Sequence, residues 1–254
     1  MMRWPDASRS IRYHSSMSEH AQNATVFPPV ETALADPNGL LARGGDLSVA
    51  RLLDAYRHGI FPWFNPGEPI LWWSPDPRMV LVPDEIRVSR SLAKRIRNGG
   101  FEVRADTAFA EVMRACAAPR EDAFGTWISP EMVAAYTRLF DAGYAHSVET
   151  WREGQLVGGL YGVAIGRMFY GESMFSREPD ASKVALVRLA QQLQRWDFGL
   201  IDCQMETPHL ASMGARTMPR AAFIARLAEL VKLPHLPGPW VFNPETAVDR
   251  STPS

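Results

Sequence analysis

Apolar and polar positions change period several times along the chain, and each change marks an element. "VARLLDAYRHG" is a helical pattern closed by Gly59. Before it, "FPPVETALADPNGLLARGGDLS" is dense in turn residues. After it, "IFPWFNPGEPILWWSPDPRMVLVP" holds so many prolines that it predicts short strands and turns. Three helices are expected next. A short basic one runs from a Ser89 cap to Gly99, and one covers "TAFAEVMRACAA", which Asp106 can cap. The third opens at Ser129 and Pro130 and stops at Gly143.

The second half changes character. "HSVETW", "QLVGGLYGVAI" and "RMFYGESMF" read as three strands joined by short turns. A helix over about 180–196 follows, with Val184, Leu186, Val187, Leu189 and Leu193 on its apolar side. Strand "LIDCQ", a short helix after Thr207 and Pro208, and a last helix from Pro219 complete the pattern. This order predicts an α+β protein. Residues 1–24 form a loose leader, in which Met17 offers an alternative start. A small mixed N-terminal domain spans 25–84, and an antiparallel-rich domain spans 85–254. The helices within 89–118 could belong to either domain.

At 254 residues the chain can bury a sizeable core. Its net charge is −1, so any nucleic-acid contact must come from a local patch. Cys116 and Cys203 form no CxxC pair, which fits a reducing compartment, and the scattered histidines lack metal-binding spacing. No apolar run approaches the roughly 20 residues that span a bilayer. The polar start lacks the apolar segment of a secretory signal. A cytoplasmic protein without metal or membrane association is the expectation.

Asp202 and Gln204 end an apolar strand, and alternation puts them on one face. Such a pair can orient and deprotonate an amine attacking a carbonyl, or it can be a polar strand end that caps a neighbouring helix. Cys203, on the opposite face, reads as a small core residue. Glu172, among aromatic and apolar neighbours, needs a cation: an incoming Arg or Lys, or an internal one such as Lys183 or Arg177. Trp63, Phe64, Trp72, Trp73 and Trp127 could stack bases or form an interface core, and Trp72 and Trp73 are assigned to the core. Arg90, Lys94 and Arg97 share a helix face, with Arg87 and Arg95 beside them, and could hold phosphates or simply be solvated.

The blocks "GGDLS", "GIFPWF", "LWWSPDPR", "GTWIS", "LVGGLYGV", "GESMFS", "ASKVAL" and "LIDCQ", in this order, resemble the leucyl/phenylalanyl-tRNA–protein transferase family. The resemblance runs from about Phe27 to the final helix. It implies a C-terminal domain similar to GCN5-related N-acetyltransferases. It also implies transfer of Leu or Phe from aminoacyl-tRNA to an N-terminal Arg or Lys, which marks the recipient for degradation, with no cofactor and with a monomeric enzyme. On this resemblance Asp202 and Gln204 are the catalytic relay, and Glu172 with Asp202 binds the acceptor. Leu160, Phe169, Leu186, Leu189, Leu193 and Ile201 wall the aminoacyl pocket. Trp63 and Trp127 meet the terminal adenosine, and Arg90, Lys94 and Arg97 meet tRNA phosphates, although Asn98 stands where the family is usually basic. An acyl-CoA-dependent N-acetyltransferase would need a glycine-rich pyrophosphate turn where "SREPDASK" stands. A non-catalytic adaptor for basic N-termini would need neither the pocket nor the basic helix.

Overall fold

The computed structural model describes residues 26–118 and 128–243, and within them the chain builds two sheets. The expected leader, 1–24, lies outside the described residues. Strands β1 (Leu40–Arg43), β2 (Phe61–Pro62) and β3 (Leu71–Trp73) make a small antiparallel sheet ordered β1–β3–β2. Helix α1 (Val49–Arg57) connects the first two, and Ser48 caps it by accepting from the Arg51 N–H.

Seven strands form the large sheet: β4 (Arg78–Leu81), β5 (Glu102–Ala105), β6 (Ala145–Arg152), β7 (Gln155–Ile165), β8 (Met168–Ser176), β9 (Leu200–Gln204) and β10 (Arg216–Met218). Their order is β10–β4–β9–β8–β7–β6–β5, and every pair is antiparallel except β8 with β9. The fold is the expected α+β type with a mostly antiparallel sheet. Strand β4 falls inside the segment 25–84 yet pairs with β9 and β10, so the chain enters the large sheet soon after Trp73. Strands β5 and β10, not anticipated from sequence, are the two edges of the sheet. Of their side chains only that of Ala105 is buried, which leaves no alternating apolar signal.

The remaining helices are α2 (Arg90–Asn98), α3 (Phe109–Ala117), α4 (Pro130–Asp141), α5 (Ala181–Arg195), α6 (Pro208–Ser212) and α7 (Arg220–Leu230). Ser89, Ser129 and Thr207 accept from the N–H groups of Leu92, Met132 and Leu210, as their sequence positions predict. Asp106 does not cap α3. Its carboxylate accepts from the Ser147 and Trp240 N–H groups and meets His146 Nδ1. The buried Glu149 of β6 takes the Thr107 and Ala108 N–H groups at the start of α3 instead. A carboxylate brought by tertiary pairing has displaced the local one.

Two apolar clusters hold the molecule together. One joins the small sheet to α3, α4, α7 and one face of the large sheet through Trp72, Phe109, Tyr136, Tyr161, Tyr170 and Phe223. The other packs α5 on the opposite face through Leu160, Phe169, Val184, Leu189 and Ile201. Between β7 and β8 the register shifts: Tyr161 pairs with Ser173 but Gly162 with Gly171. Glu172 is the extra residue of that bulge. The tight approach there needs glycine, since a Cβ on Gly162 would collide with the carbonyl of Tyr170. Beyond the bulge the facing of β8 inverts: Tyr170 and Phe175 reach the same cluster although their numbers differ in parity.

Candidate active site

Strands β8 and β9 pair from Met168 and Leu200 only as far as Tyr170 and Asp202. Where they stop pairing, a cavity of about 550 Å³ opens. Its walls come from both faces of the sheet: Leu160, Phe169, Leu186, Leu189 and Ile201 on one side, Tyr161, Phe175 and Ala115 on the other. Such a volume with mainly apolar walls and few polar groups suits a small organic group. Of the six expected pocket residues, Leu193 is the exception. It lies one turn beyond Leu189, is fully buried, and packs in the second cluster away from the opening.

Glu172 borders this cavity and is 3% exposed. Tyr56 donates to its Oε1 at 2.7 Å, Tyr136 to its Oε2 at 3.0 Å, and the Gln204 amide to Oε1 at 3.0 Å. The two phenolic oxygens are themselves 2.5 Å apart. The internal cations weighed as partners go elsewhere: Lys183 to Asp180, and Arg177 to the Leu156 carbonyl. Burial pushes the Glu172 carboxyl up to about 7, although the Tyr56 and Tyr136 hydrogen bonds favour its charged form. Both phenols are raised well above their ordinary value, first by burial and then by Glu172, so they act as donors.

The expectation that alternation puts Asp202 and Gln204 on one face of the strand does not hold. Ile201 and Cys203 are the β9 residues that line the cavity. Asp202 points to the other face, fully buried, where Arg78 Nε reaches Oδ1 at 2.8 Å and a terminal Arg78 nitrogen reaches Oδ2 at 2.6 Å. Arg78 also donates to the Gly59 carbonyl, and its guanidinium carbon lies 4.8 Å from the ring centres of both Phe61 and Phe223. Gln204 escapes strict alternation because its φ is 62°, outside the strand region. Its backbone N–H donates to Asp202 Oδ1 at 2.8 Å while its side chain reaches Glu172. Cys203 therefore forms part of the cavity wall as well as the core, and burial keeps its thiol protonated.

The tryptophans divide. Trp63 is 8% exposed and packs edge-on against Trp73, with ring centres 5.6 Å apart, so it is a core residue rather than an open stacking surface. Trp72 and Trp73 are core residues as assigned. Trp127 lies outside the described residues. On α2, Arg90, Lys94 and Arg97 are all exposed, while Leu92 turns inward. Arg95 is instead held by Glu178 and lies over Phe101.

Sequence reasoning missed Tyr56, Tyr136 and Arg78. The tyrosines look like ordinary apolar helix positions, and nothing local shows their hydroxyls meeting. Arg78 did carry a signal: an arginine opening the apolar run "MVLV" must find a buried carboxylate, and Asp202 was the unexplained one.

The split sheet and its buried carboxylate define a site for a small, mostly apolar group, and similarity to known proteins says which kind. A family model described as leucyl/phenylalanyl-tRNA protein transferase matches residues 80–228, and one described as the N-terminal domain of that transferase matches 45–76. A leucyl/phenylalanyl-tRNA–protein transferase of Thiobacillus denitrificans is 82% identical over 227 residues, 89% of this chain and 100% of the relative. One from Nitrosomonas europaea is 66% identical over 219 residues, 86% of this chain and 93% of the relative. Among solved structures, a GCN5-related N-acetyltransferase from Kribbella flavida is 12% identical, with a TM-score of 0.34 over 66% of this chain and 59% of its own. The chain belongs to the leucyl/phenylalanyl-tRNA–protein transferase family and is an aminoacyltransferase. Among the described residues no helix is long and apolar enough to cross a membrane.

Proposed function

We propose that this chain, acting as a cytoplasmic monomer without metal or cofactor, moves Leu or Phe from aminoacyl-tRNA to proteins beginning with Arg or Lys. One observation carries the reading: an apolar cavity leads to a buried carboxylate held by two phenols and an amide rather than by a cation. The apolar walls accept the aminoacyl side chain. Glu172 accepts the basic residue of the acceptor, whose charge repays the carboxylate's desolvation.

The acceptor's α-amine attacks the ester carbonyl. An N–C bond forms, the bond to the ribose oxygen breaks, and the proton lost by nitrogen ends on that oxygen. The ester is already activated, so no nucleotide is consumed. Gln204 orients the amine through its carboxamide. Asp202, with both oxygens committed to Arg78, serves by holding the Gln204 backbone in place and not by taking a proton. The exposed Arg90, Lys94 and Arg97 hold acceptor-stem phosphates.

An acyl-CoA enzyme is disfavoured by the start of α5. There the Ala181 N–H donates to the Glu178 carbonyl and the Ser182 N–H to Ser176 Oγ, while Asp180 places a carboxylate beside them. A pyrophosphate would find those donors in use. The test is transfer from Leu-tRNA to peptides beginning with Arg, Lys, Glu or Ala, in the presence of a chelator and without ATP. Products with Arg and Lys alone are expected. No product with any peptide, or an intact tRNA ester despite peptide binding, would refute the reading.

A further inference from the structure

A carboxylate and a guanidinium both border the cavity, Glu172 and Arg177. Glu172 is buried where β8 bulges, and Arg177 is exposed just past the last residue of that strand, Ser176. Along the strand the two stand on the order of 15 Å apart. The guanidinium is held against the cavity wall. A terminal nitrogen donates to the Leu156 carbonyl at 2.8 Å, and the guanidinium carbon lies 5.4 Å from the ring centre of Phe175, itself a wall residue. Its remaining N–H groups meet no acceptor among the described residues. Neighbouring cations are matched by carboxylates: Arg95 and Arg152 by Glu178, and Lys183 by Asp180. Arg177 has no such partner among the described residues.

We infer that Arg177 binds the phosphate of the donor's 3′-terminal nucleotide and so sets how far the aminoacyl group enters the cavity. The inference rests on the aminoacyl-tRNA donor proposed above. The aminoacyl ester hangs from the terminal ribose, and the same ribose carries a phosphate on its 5′ carbon. When the aminoacyl side chain fills the apolar cavity, that anion therefore stands at the mouth, a sugar's width from the ester. A guanidinium with free N–H groups in a fixed plane suits a phosphate there better than a point charge does.

The two charges then divide the substrates between them. Glu172 takes the acceptor's cation at the buried end, and Arg177 takes the donor's anion at the open end. A basic side chain, the reacting ester and a ribose laid end to end occupy the stretch between. The Arg95–Glu178 contact ties α2 to the residue that follows Arg177, which brings the exposed basic helix to the same rim. The tRNA end thus meets cations both along its stem and at its last phosphate.

The experiment measures transfer of Leu to an Arg-initiated peptide by wild type, Arg177→Gln and Arg177→Glu. The glutamine can still donate to the Leu156 carbonyl, so the fold keeps that contact. Arg177→Gln should raise the KM for Leu-tRNA by about tenfold, the loss of one charge-assisted contact, and Arg177→Glu by more. The KM for the peptide and the unfolding midpoint should stay at their wild-type values. In Arg177→Gln the log–log salt slope of Leu-tRNA binding should become shallower by about 0.7–1 unit, one phosphate contact being lost. The 3′-leucyl esters of adenosine and of adenosine 5′-phosphate are then compared as donors. Wild type should favour the phosphorylated ester by about tenfold, and Arg177→Gln should treat the two alike. A wild type that treats the esters alike overturns the inference, and so does a Leu-tRNA KM within about twofold of wild type in both variants. A rise confined to the peptide KM overturns it too, by assigning Arg177 to an acidic group of the acceptor. Each of these results leaves the transfer itself standing, whereas a wild type inactive with Leu-tRNA refutes the parent reading.

Discussion

Arg78 grips Asp202 with two hydrogen bonds, and neither side chain touches solvent: their exposures are 1% and 0%. The pair spans from β4 to β9, two strands far apart in sequence, and Asp202 then fixes the Gln204 backbone beside the cavity. Removing one member of a buried pair strands the other's charge, which costs about 3–5 kcal/mol. Arg78→Ala and Asp202→Ala should each lose that much in urea unfolding. The double variant should be less destabilised than the sum of the two, because no charge is left uncompensated. Additive losses would show that the two residues do not act as a pair.

Glu172 makes stability depend on pH. Its carboxyl is raised from 4.5 to about 7 in the folded protein. Below the unfolded value both states are protonated and the contribution is fully present. It is lost as pH rises through about 7, where the folded state must carry a buried charge. Wild type should therefore lose on the order of 3 kcal/mol relative to Glu172→Gln between acid and pH 8. Denaturant titrations at several pH values measure the difference, and parallel pH profiles would count against a raised carboxyl.

The same substitution bears on the acceptor. Glu172→Gln should raise the KM for an Arg-initiated peptide by at least about tenfold, the loss of one charge-assisted contact of roughly 1.5–3 kcal/mol. The KM for Leu-tRNA should stay close to wild type. An equal rise for both substrates would place Glu172 outside acceptor binding.

Leu186 and Leu193 separate wall from core. Leu186→Phe narrows the cavity and should change the Leu-to-Phe preference by about 10-fold or more, the scale of one to three kcal/mol in a hydrophobic pocket. Leu193→Ala should instead cost about 2–5 kcal/mol of stability while leaving the preference unchanged. Competition between the two charged tRNAs, with unfolding curves alongside, decides it.

On α2, reversing Arg90, Lys94 and Arg97 to Glu should weaken tRNA binding and make its log–log salt slope shallower by about 2–3 units. The helix should survive, since its buried contact is Leu92 and its cap is Ser89. An unchanged slope would move the phosphate contact elsewhere.

Local chemistry determined much of this protein in advance. Caps at Ser48, Ser89, Ser129 and Thr207, together with apolar periodicity, set the helices and the central strands, because those interactions lie within a few residues. Periodicity made the six expected wall residues legible only as core positions, because apolar residues on regular elements must turn inward; the family resemblance placed them at a pocket, which five of them line. Tertiary pairing decided the rest. Alternation put Asp202 and Gln204 side by side, but Arg78 arrives from β4 to turn Asp202 into a buried ion pair, and a left-handed backbone sends Gln204 toward Glu172. The bulge at Glu172 comes from how β7 meets β8, and its tyrosine partners come from α1 and α4. A side chain's partner across the fold is a property of long-range register, and no window of neighbouring residues contains it.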